Sequence, residues 1–553
     1  MKPYRVIFSI LLWLAFSVGS HAQRMAIIAD PHIQDVEGHP ELVRTWESQA
    51  RSTRLFNENY FAFRAVLDDV ARRGIRLVIL PGDLTDNGQQ TACQAVTRIL
   101  HGYERRYGMR FFMTTGNHDP NYPVGMPWGQ KDFLGKDGRP RVIYSDSCQF
   151  FLPNKPHEML TPDTVVPGLR CLGYDELTDE WCDFGFQPRQ DFLHWERPVN
   201  TSPYPDASYL AEPIAGLWLL AIDGSVHTPK AGSGERGARS GNGNQDRSDP
   251  TMWNGSWPGY NNVMQHKPFL TDWVKDVAAR AKRQGKRLVA FCHYPLVDFN
   301  RGATDIVREA WGEKAFDLTR VPRPEVAQAF LDAGLRLHIS GHMHLNNTAR
   351  FLSGDASLID VQVPSIAGCM PAYKILTLLN DSIYDFQTVL VDSVPGFDTF
   401  FGRYALRGDA GPADALSEIV SGEVRDYPAF CQRWFASLVA NRYVQQDLPP
   451  ALQEMLPQIG GTYPDASSPS GTAVWTGLDL VTDLYRLRFA GLTALADIPQ
   501  ARLQAYELFF SGSEERGAGS DVIAPLAAVF RCMLNALPTD HFRVNVRTGQ
   551  LCQ

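Results

Sequence analysis

The sequence predicts an α/β protein in two parts, an α/β unit over residues 23–402 followed by a helical C-terminal domain over residues 403–553. Three observations predict it. Short apolar runs alternate with helix-length amphipathic stretches from residue 25 onward, the pattern of βαβ units and a sheet with parallel character. Asp30, Asp83, Asn117, His293 and His342 each follow the end of such a run, where open α/β sheets place their ligands. Beyond Arg403 almost every segment shows helical periodicity. The 553 residues exceed one ordinary core, and 44% hydrophobic with 21% charged residues is a globular composition.

Residues 1–22 read as an export signal. Lys2 and Arg5 precede an apolar run from Val6 to Val18, and the small residues Ser20 and Ala22 suit cleavage before Gln23. The run is too short for a spanning helix, so no transmembrane anchor is expected after cleavage, and a periplasmic or secreted location follows. Losing Lys2 and Arg5 takes the formal charge from −8 to −10, which argues against nucleic acid as a partner.

The elements follow in order. Residues 25–29 read as a buried strand, 56–73 as a helix stopped by Gly74, 77–80 as a strand, 90–106 as a helix and 111–115 as a third strand. Proline, glycine and aromatic residues then dominate about 120–213, which reads as a long insertion rather than regular sheet. After a strand over 217–222, residues 224–262 are rich in glycine and asparagine and read as a loop insertion. Helices over 269–283 and 324–333 lead into strands over 288–292 and 335–340. Residues 357–363, 373–379 and 383–391 read as a run of antiparallel strands. The C-terminal helices are expected over 415–421, 428–441, 449–456, 472–489, 501–510 and 522–535.

Nine cysteines in an exported chain permit disulfides and leave at least one thiol over. Cys292, inside an apolar strand, is the candidate free thiol. Cys148, Cys171 and Cys182 share one loop-rich stretch, and Cys431, Cys532 and Cys552 are candidates to tie the C-terminal region together.

The metal-competent side chains fall in five short blocks: Asp30-Pro31-His32, Gly82-Asp83-Leu84-Thr85-Asp86, Gly116-Asn117-His118-Asp119, His293 and Gly341-His342-Met343-His344. In this order they resemble the signature of the calcineurin-like metallophosphoesterases. The resemblance implies a four-layer αββα sandwich and a pair of divalent transition-metal ions. Mixed carboxylate, amide and imidazole donors suit manganese, iron or zinc. It also implies one ion held by Asp30, His32, Asp83 and His344, and a second by Asp83, Asn117, His293 and His342, with Asp83 shared. Such a pair, about 3.5 to 4 Å apart, lowers the pKa of the water between them toward about 7 and clamps the phosphoryl oxygens. The implied reaction is hydrolysis of a phosphodiester or phosphomonoester by metal-bound hydroxide. His118 corresponds to the general acid or phosphate-stabilising residue, and Asp86 to the carboxylate that orients it.

Side chains two apart on an extended segment face the same way, which lets Asp30 converge with His32 and His342 with His344. Glycines 82, 116 and 341 are expected to let the backbone turn beside the ions. Asp119 reads as a supporting carboxylate or a solvated one. His338 reads as a hydrogen-bonded structural histidine, His227 and His266 as surface loop residues, and Trp253 with Trp257 as either a substrate wall or loop packing. No tyrosine adjoins the shared aspartate in residues 82–86, so a ferric tyrosinate site is not expected. A small-molecule or lipid-headgroup phosphate ester is the implied substrate class, and the resemblance extends to the acid sphingomyelinase and cyclic-nucleotide phosphodiesterase branches. The alternatives are a broad phosphomonoesterase, or a non-catalytic binding protein that keeps the fold.

Overall fold

A computed structural model describes residues 22–120, 122–146, 164–230, 253–407, 415–516 and 520–552. Residues 1–21 of the expected export signal, Cys148 and residues 231–252 of the glycine-rich segment lie outside that set. Two seven-stranded sheets carry the fold. The first runs, edge to edge, Gln550–Cys552, His541–Asn545, Ile383–Leu390, Ala372–Leu378, Gln23–Ile27, Leu77–Pro81 and Arg110–Thr114. Its last three strands are parallel, and Gln23–Ile27 joins them antiparallel to Ala372–Leu378. The second runs Asn347–Ser353, Ala356–Gln362, Leu337–Ser340, Arg287–Phe291, Leu217–Ala221, Tyr209–Ile214 and His194–Glu196, parallel at its centre and antiparallel at both edges.

The two-residue period of a strand explains the layering. In Leu217–Ala221, Leu217, Leu219 and Ala221 join the core shared with the first sheet. Trp218 and Leu220 belong instead to a second core with Leu270, Val274 and Val277 of the helix Phe269–Gln284. A continuous apolar run thus buries both faces of a central strand, each large side chain contributing roughly 1.5–3 kcal/mol. On the first sheet, the helix Asn59–Arg72 buries Phe63, Val66, Leu67 and Val70, spaced to present one face. The helices at Phe269–Gln284 and Gln90–Tyr107 stop at Gly285 and Gly108, both left-handed.

The stretch 120–213 is not purely an irregular insertion. It holds a hairpin, Gly129–Leu134 with Pro140–Tyr144, and its last two strands complete one edge of the second sheet. Pro213 and Glu212 mask Tyr209–Ile214 as a strand; both fall at the register shift between Ala211 and Ile214, and a bulge is where a sheet tolerates proline. Ala356–Gln362 does not share a sheet with Ala372–Leu378 as an antiparallel run would: it pairs parallel with Leu337–Ser340 in the second sheet.

Helices dominate the C-terminal region as expected, among them Tyr427–Leu438, Gly477–Ala490, Gln500–Arg516 and Ser520–Leu534. Thr472–Thr476, expected to open a helix, is a strand paired with Gly460–Pro464. The helix begins only at Gly477 because Thr476 caps it: its hydroxyl accepts from Asp479 N, while Asp479 accepts from Thr476 N at 2.8 Å. His541–Asn545 and Gln550–Cys552 return to extend the first sheet, and Trp434, Phe435 and Tyr485 join the same core as its strands.

Cys292 is a buried free thiol. Cys171, Cys182, Cys431, Cys532 and Cys552 are free as well, so the expected C-terminal tie is not made. Cys431, Cys532 and Cys552 sit on separate elements, and the shared core holds those elements together without a covalent link.

Candidate metal centre

Each candidate ligand sits within a few residues of the C-terminal end of a strand in parallel pairing: Asp30 after Gln23–Ile27, Asp83 after Leu77–Pro81, Asn117 after Arg110–Thr114, His293 after Arg287–Phe291 and His342 after Leu337–Ser340. The loops there are not extended. Asp30, His32, Asp83, His342 and His344 all have positive φ, between 46° and 69°. The pair at 30/32 therefore converges through left-handed turns, not through the two-residue period of an extended segment, whereas His342 and His344, expected to converge, turn to different groups. Five non-glycine residues in this conformation at one place is the kind of backbone strain that clusters at functional sites.

The side chains form two adjoining groups. Asp30, His32 and His344 make one, with His32 Nε2 3.0 Å from His344 Nε2 and Asp30 Oδ1 3.7 Å from His344 Nε2. Asp83, His293 and His342 make the other, with His293 Nε2 3.0 Å from His342 Nδ1 and 3.2 Å from Asn117 Oδ1. Asp83 Oδ2 lies between them, 3.3 Å from His293 Nε2 and 3.7 Å from His32 Nε2. All seven residues predicted as ligands are thus gathered, with Asp83 central.

The donor chemistry fits a pair of cations. His293 Nδ1 donates to the Pro81 carbonyl at 2.9 Å and His344 Nδ1 to the Thr53 carbonyl at 3.3 Å, which turns the Nε2 atom of each ring toward the cluster. What those atoms meet is other ring nitrogens and carboxylate oxygens, crowded together. Burial, reinforced by the Arg54 charge, pulls His344 down to about 3 and His32 well below the usual imidazole range, so both are neutral and able to ligate. Burial also pushes Asp30 well above the carboxylate range, against the pull of His293. Burial alone would lower His293 too, but Asp83 and Asp30 outweigh it and raise the ring to about 9.

Around this cluster the structure corrects one expected contact. His118 Nδ1 donates to the backbone carbonyl of Asp86 at 2.6 Å, not to its carboxylate. The Asp86 carboxylate is taken by Arg54, whose Nε lies 2.9 Å from Oδ1, and by Arg44, Gln34 and Asn87 on Oδ2. Asp86 orients His118 through its main chain, and its side chain anchors the buried Arg44 and the partly exposed Arg54. Asp119 is buried rather than solvated: it accepts from Thr85 N and Gly116 N, both at 3.0 Å, and ties the Asp83 and Asn117 loops together.

The glycines divide by role. Gly82 has φ of 78°, as a turn requires. Gly116 and Gly341 need space instead: a Cβ would lie 2.2 Å from Asp83 Oδ1 at the former and 2.5 Å from Asp30 Oδ2 at the latter.

His338 is structural, bonded to Asp360 at 2.8 Å and to the Tyr260 hydroxyl at 3.2 Å. His227 is not a surface residue: it is buried, with Nδ1 3.3 Å from the Asn254 carbonyl. Trp257 is 40% exposed and, with Trp253, Asn117 and Tyr122, lines a cleft beside the second group. Sequence reasoning missed Arg54 and Tyr294. The Tyr294 ring packs 4.8 Å from His293 and 4.9 Å from His342, and its position next to His293 was the available signal.

A two-sheet α/β scaffold that collects histidine, aspartate and asparagine donors at its strand ends defines a class of metal-site hydrolase folds. The family described as calcineurin-like phosphoesterase matches residues 23–346, and the chain belongs to that family. Among solved structures it is similar to a dimetal phosphatase from Danio rerio, at 12% identity and TM-score 0.34, over 67% of this chain and 98% of that one. It is similar also to a purple acid phosphatase from yellow lupin (Lupinus luteus) seeds, at 12% identity and TM-score 0.33, over 67% of this chain and 52% of that one. No curated protein sequence matches it significantly. Among the described residues no helix is long and apolar enough to cross a membrane.

Proposed function

We propose that this chain is an exported enzyme that hydrolyses a phosphodiester or phosphomonoester with two divalent transition-metal ions, manganese, iron or zinc. The observation that carries the reading is the gathering of Asp30, His32, Asp83, Asn117, His293, His342 and His344 into two groups around Asp83. Asp30, His32, Asp83 and His344 would hold one ion, and Asp83, Asn117, His293 and His342 the other. Bound there, the pair would acidify a water and draw charge from the phosphoryl oxygens.

The chain's own residues do the rest. His118, held through Nδ1 by the Asp86 carbonyl, keeps Nε2 toward the leaving oxygen; burial and the Arg54 charge lower the ring to about 4, and the negative charge of a bound phosphate would offset them so that it can carry the proton it passes on. Asp119 holds the Asp83 and Asn117 loops in register. Export rests on the charged, apolar and small-residue pattern of residues 1–22, and substrate would be a small-molecule or lipid-headgroup phosphate ester met outside the cytoplasm.

The test is chelation. Protein stripped of metal should lose hydrolysis of p-nitrophenyl phosphate and bis(p-nitrophenyl) phosphate and regain it with manganese, iron or zinc. Full activity after stripping would end the two-metal reading, and the ratio of the two rates separates monoester from diester preference.

A further inference from the structure

The mouth of the metal centre is a cleft of about 250 Å³ whose rim carries three guanidinium groups from three distant parts of the chain: Arg54, Arg320 and Arg442. Their charges are not equally spent. Arg54 is largely buried and bonded to the Asp86 carboxylate. Arg320 has one carboxylate neighbour among the described residues, Asp317, at 3.8 Å, beyond hydrogen-bond range. That carboxylate is itself shared, since its Oδ2 accepts from Arg488 at 3.2 Å. Arg442 donates to a neutral acceptor, the Arg51 carbonyl at 3.2 Å, and among the described residues it has no carboxylate partner. The rim therefore holds more guanidinium than carboxylate, facing open space next to the ligand groups.

The backbone at both places is unusual. The segment Val439–Tyr443 is π-helical, a single widened turn that changes the direction in which the following side chains leave the helix. Tyr443 stacks on Tyr485 at 4.3 Å between ring centres, which fixes that turn. Phe316 and Asp317 have φ of 50° and 53°, left-handed values that non-glycine residues rarely take. Phe316 is held there by Tyr485, at 5.4 Å, and by Arg488 over its ring. Two costly backbone features, on segments more than a hundred residues apart, are thus pinned by the same tyrosine and flank the same cleft.

We propose that Arg320 and Arg442 form an anion subsite, and that the substrate carries a second negatively charged group, a phosphate or carboxylate, beyond the phosphate being hydrolysed. Guanidinium groups with unused donors suit such a group because they bind its oxygens in pairs. The inference rests on the phosphoesterase reading for what happens to the first phosphate, but the subsite itself needs only an anion.

The test uses two matched compounds, hexyl phosphate and hexane-1,6-diol bisphosphate, with phosphate release followed on metal-reconstituted protein. The bisphosphate should show kcat/KM at least about tenfold higher, the size of one charge-assisted pair and more than the statistical gain of having two ends. In Arg320→Ala and Arg442→Ala that ratio should fall below about threefold. Arg442→Lys, which keeps the charge, should give an intermediate ratio, and it replaces the alanine variant if that one fails to fold. Calorimetric binding of the non-hydrolysable hexane-1,6-diyl bisphosphonate against hexylphosphonate should show the same order.

A wild-type ratio near the statistical value, or variants that lose both substrates equally, would overturn the subsite; the latter result would place the arginines on the scissile phosphate. Hydrolysis of neither substrate, with bisphosphonate still bound preferentially, would instead refute the phosphoesterase reading and leave the subsite standing.

Discussion

The strand-end rim and the C-terminal region of this chain reach the same cleft by opposite routes. At the rim each ligand arrives by a local rule, a buried strand that ends and a sharp turn that follows within a few residues. Arg442 arrives from a helix with no strand behind it, aimed by one π-helical turn and a tyrosine stack. The machinery expected to hold ions is built on the rigid sheet ends. What reads the remainder of the substrate is delivered by packing between distant segments.

The largest expected effect tests the rim. Asp83→Asn removes the shared carboxylate, and activity should fall on the order of 10³-fold with loss of both ions. Metal analysis of the purified variant checks this, and a variant that kept two ions and normal turnover would refute the sharing. Next comes His118→Asn, expected to lower kcat about 10²- to 10⁴-fold while metal content stays at the wild-type level. Parallel loss of metal would mean that His118 acts as a ligand and not on the leaving group. Asp119→Ala releases two loop amides, and metal affinity should weaken roughly 10- to 100-fold. A titration with manganese measures it, and unchanged affinity would show that the loops hold themselves.

The smallest effect probes the seam between the two regions. Lys374 lies buried on the first sheet, bonded to Asn346, Thr388 and the Thr539 carbonyl, and burial pulls it down to about 7. An unfolded lysine titrates near about 10.4, so between those values the unfolded chain binds more protons and stability rises with pH. Lys374→Met should flatten the gain in Tm between about pH 7 and 9. Melting curves at the two pH values decide, and an unchanged gain would assign the slope to other groups.

Much of the rim was legible in the sequence because its signals are short-range. The runs at Leu77–Pro81 and Leu217–Ala221 announce buried strands, and Asp83 and His293 follow theirs directly. What the sequence hid is set by tertiary pairing. The His118 contact goes to the Asp86 carbonyl, because two arginines that no motif announces claim the carboxylate. Tyr209–Ile214 was obscured by its own proline, and Thr472–Thr476 by an apolar pattern that runs on into the capped helix behind it. Arg320 and Arg442 carry no local signature at all, since only the folded chain brings them together.

The most direct measurement is anomalous diffraction from crystals soaked in manganese. Two peaks are predicted, one within reach of Asp30, His32 and His344 and the other within reach of Asn117, His293 and His342, with Asp83 touching both. A map with no peak in that cluster, or with a single peak that Asp83 does not touch, would contradict the account.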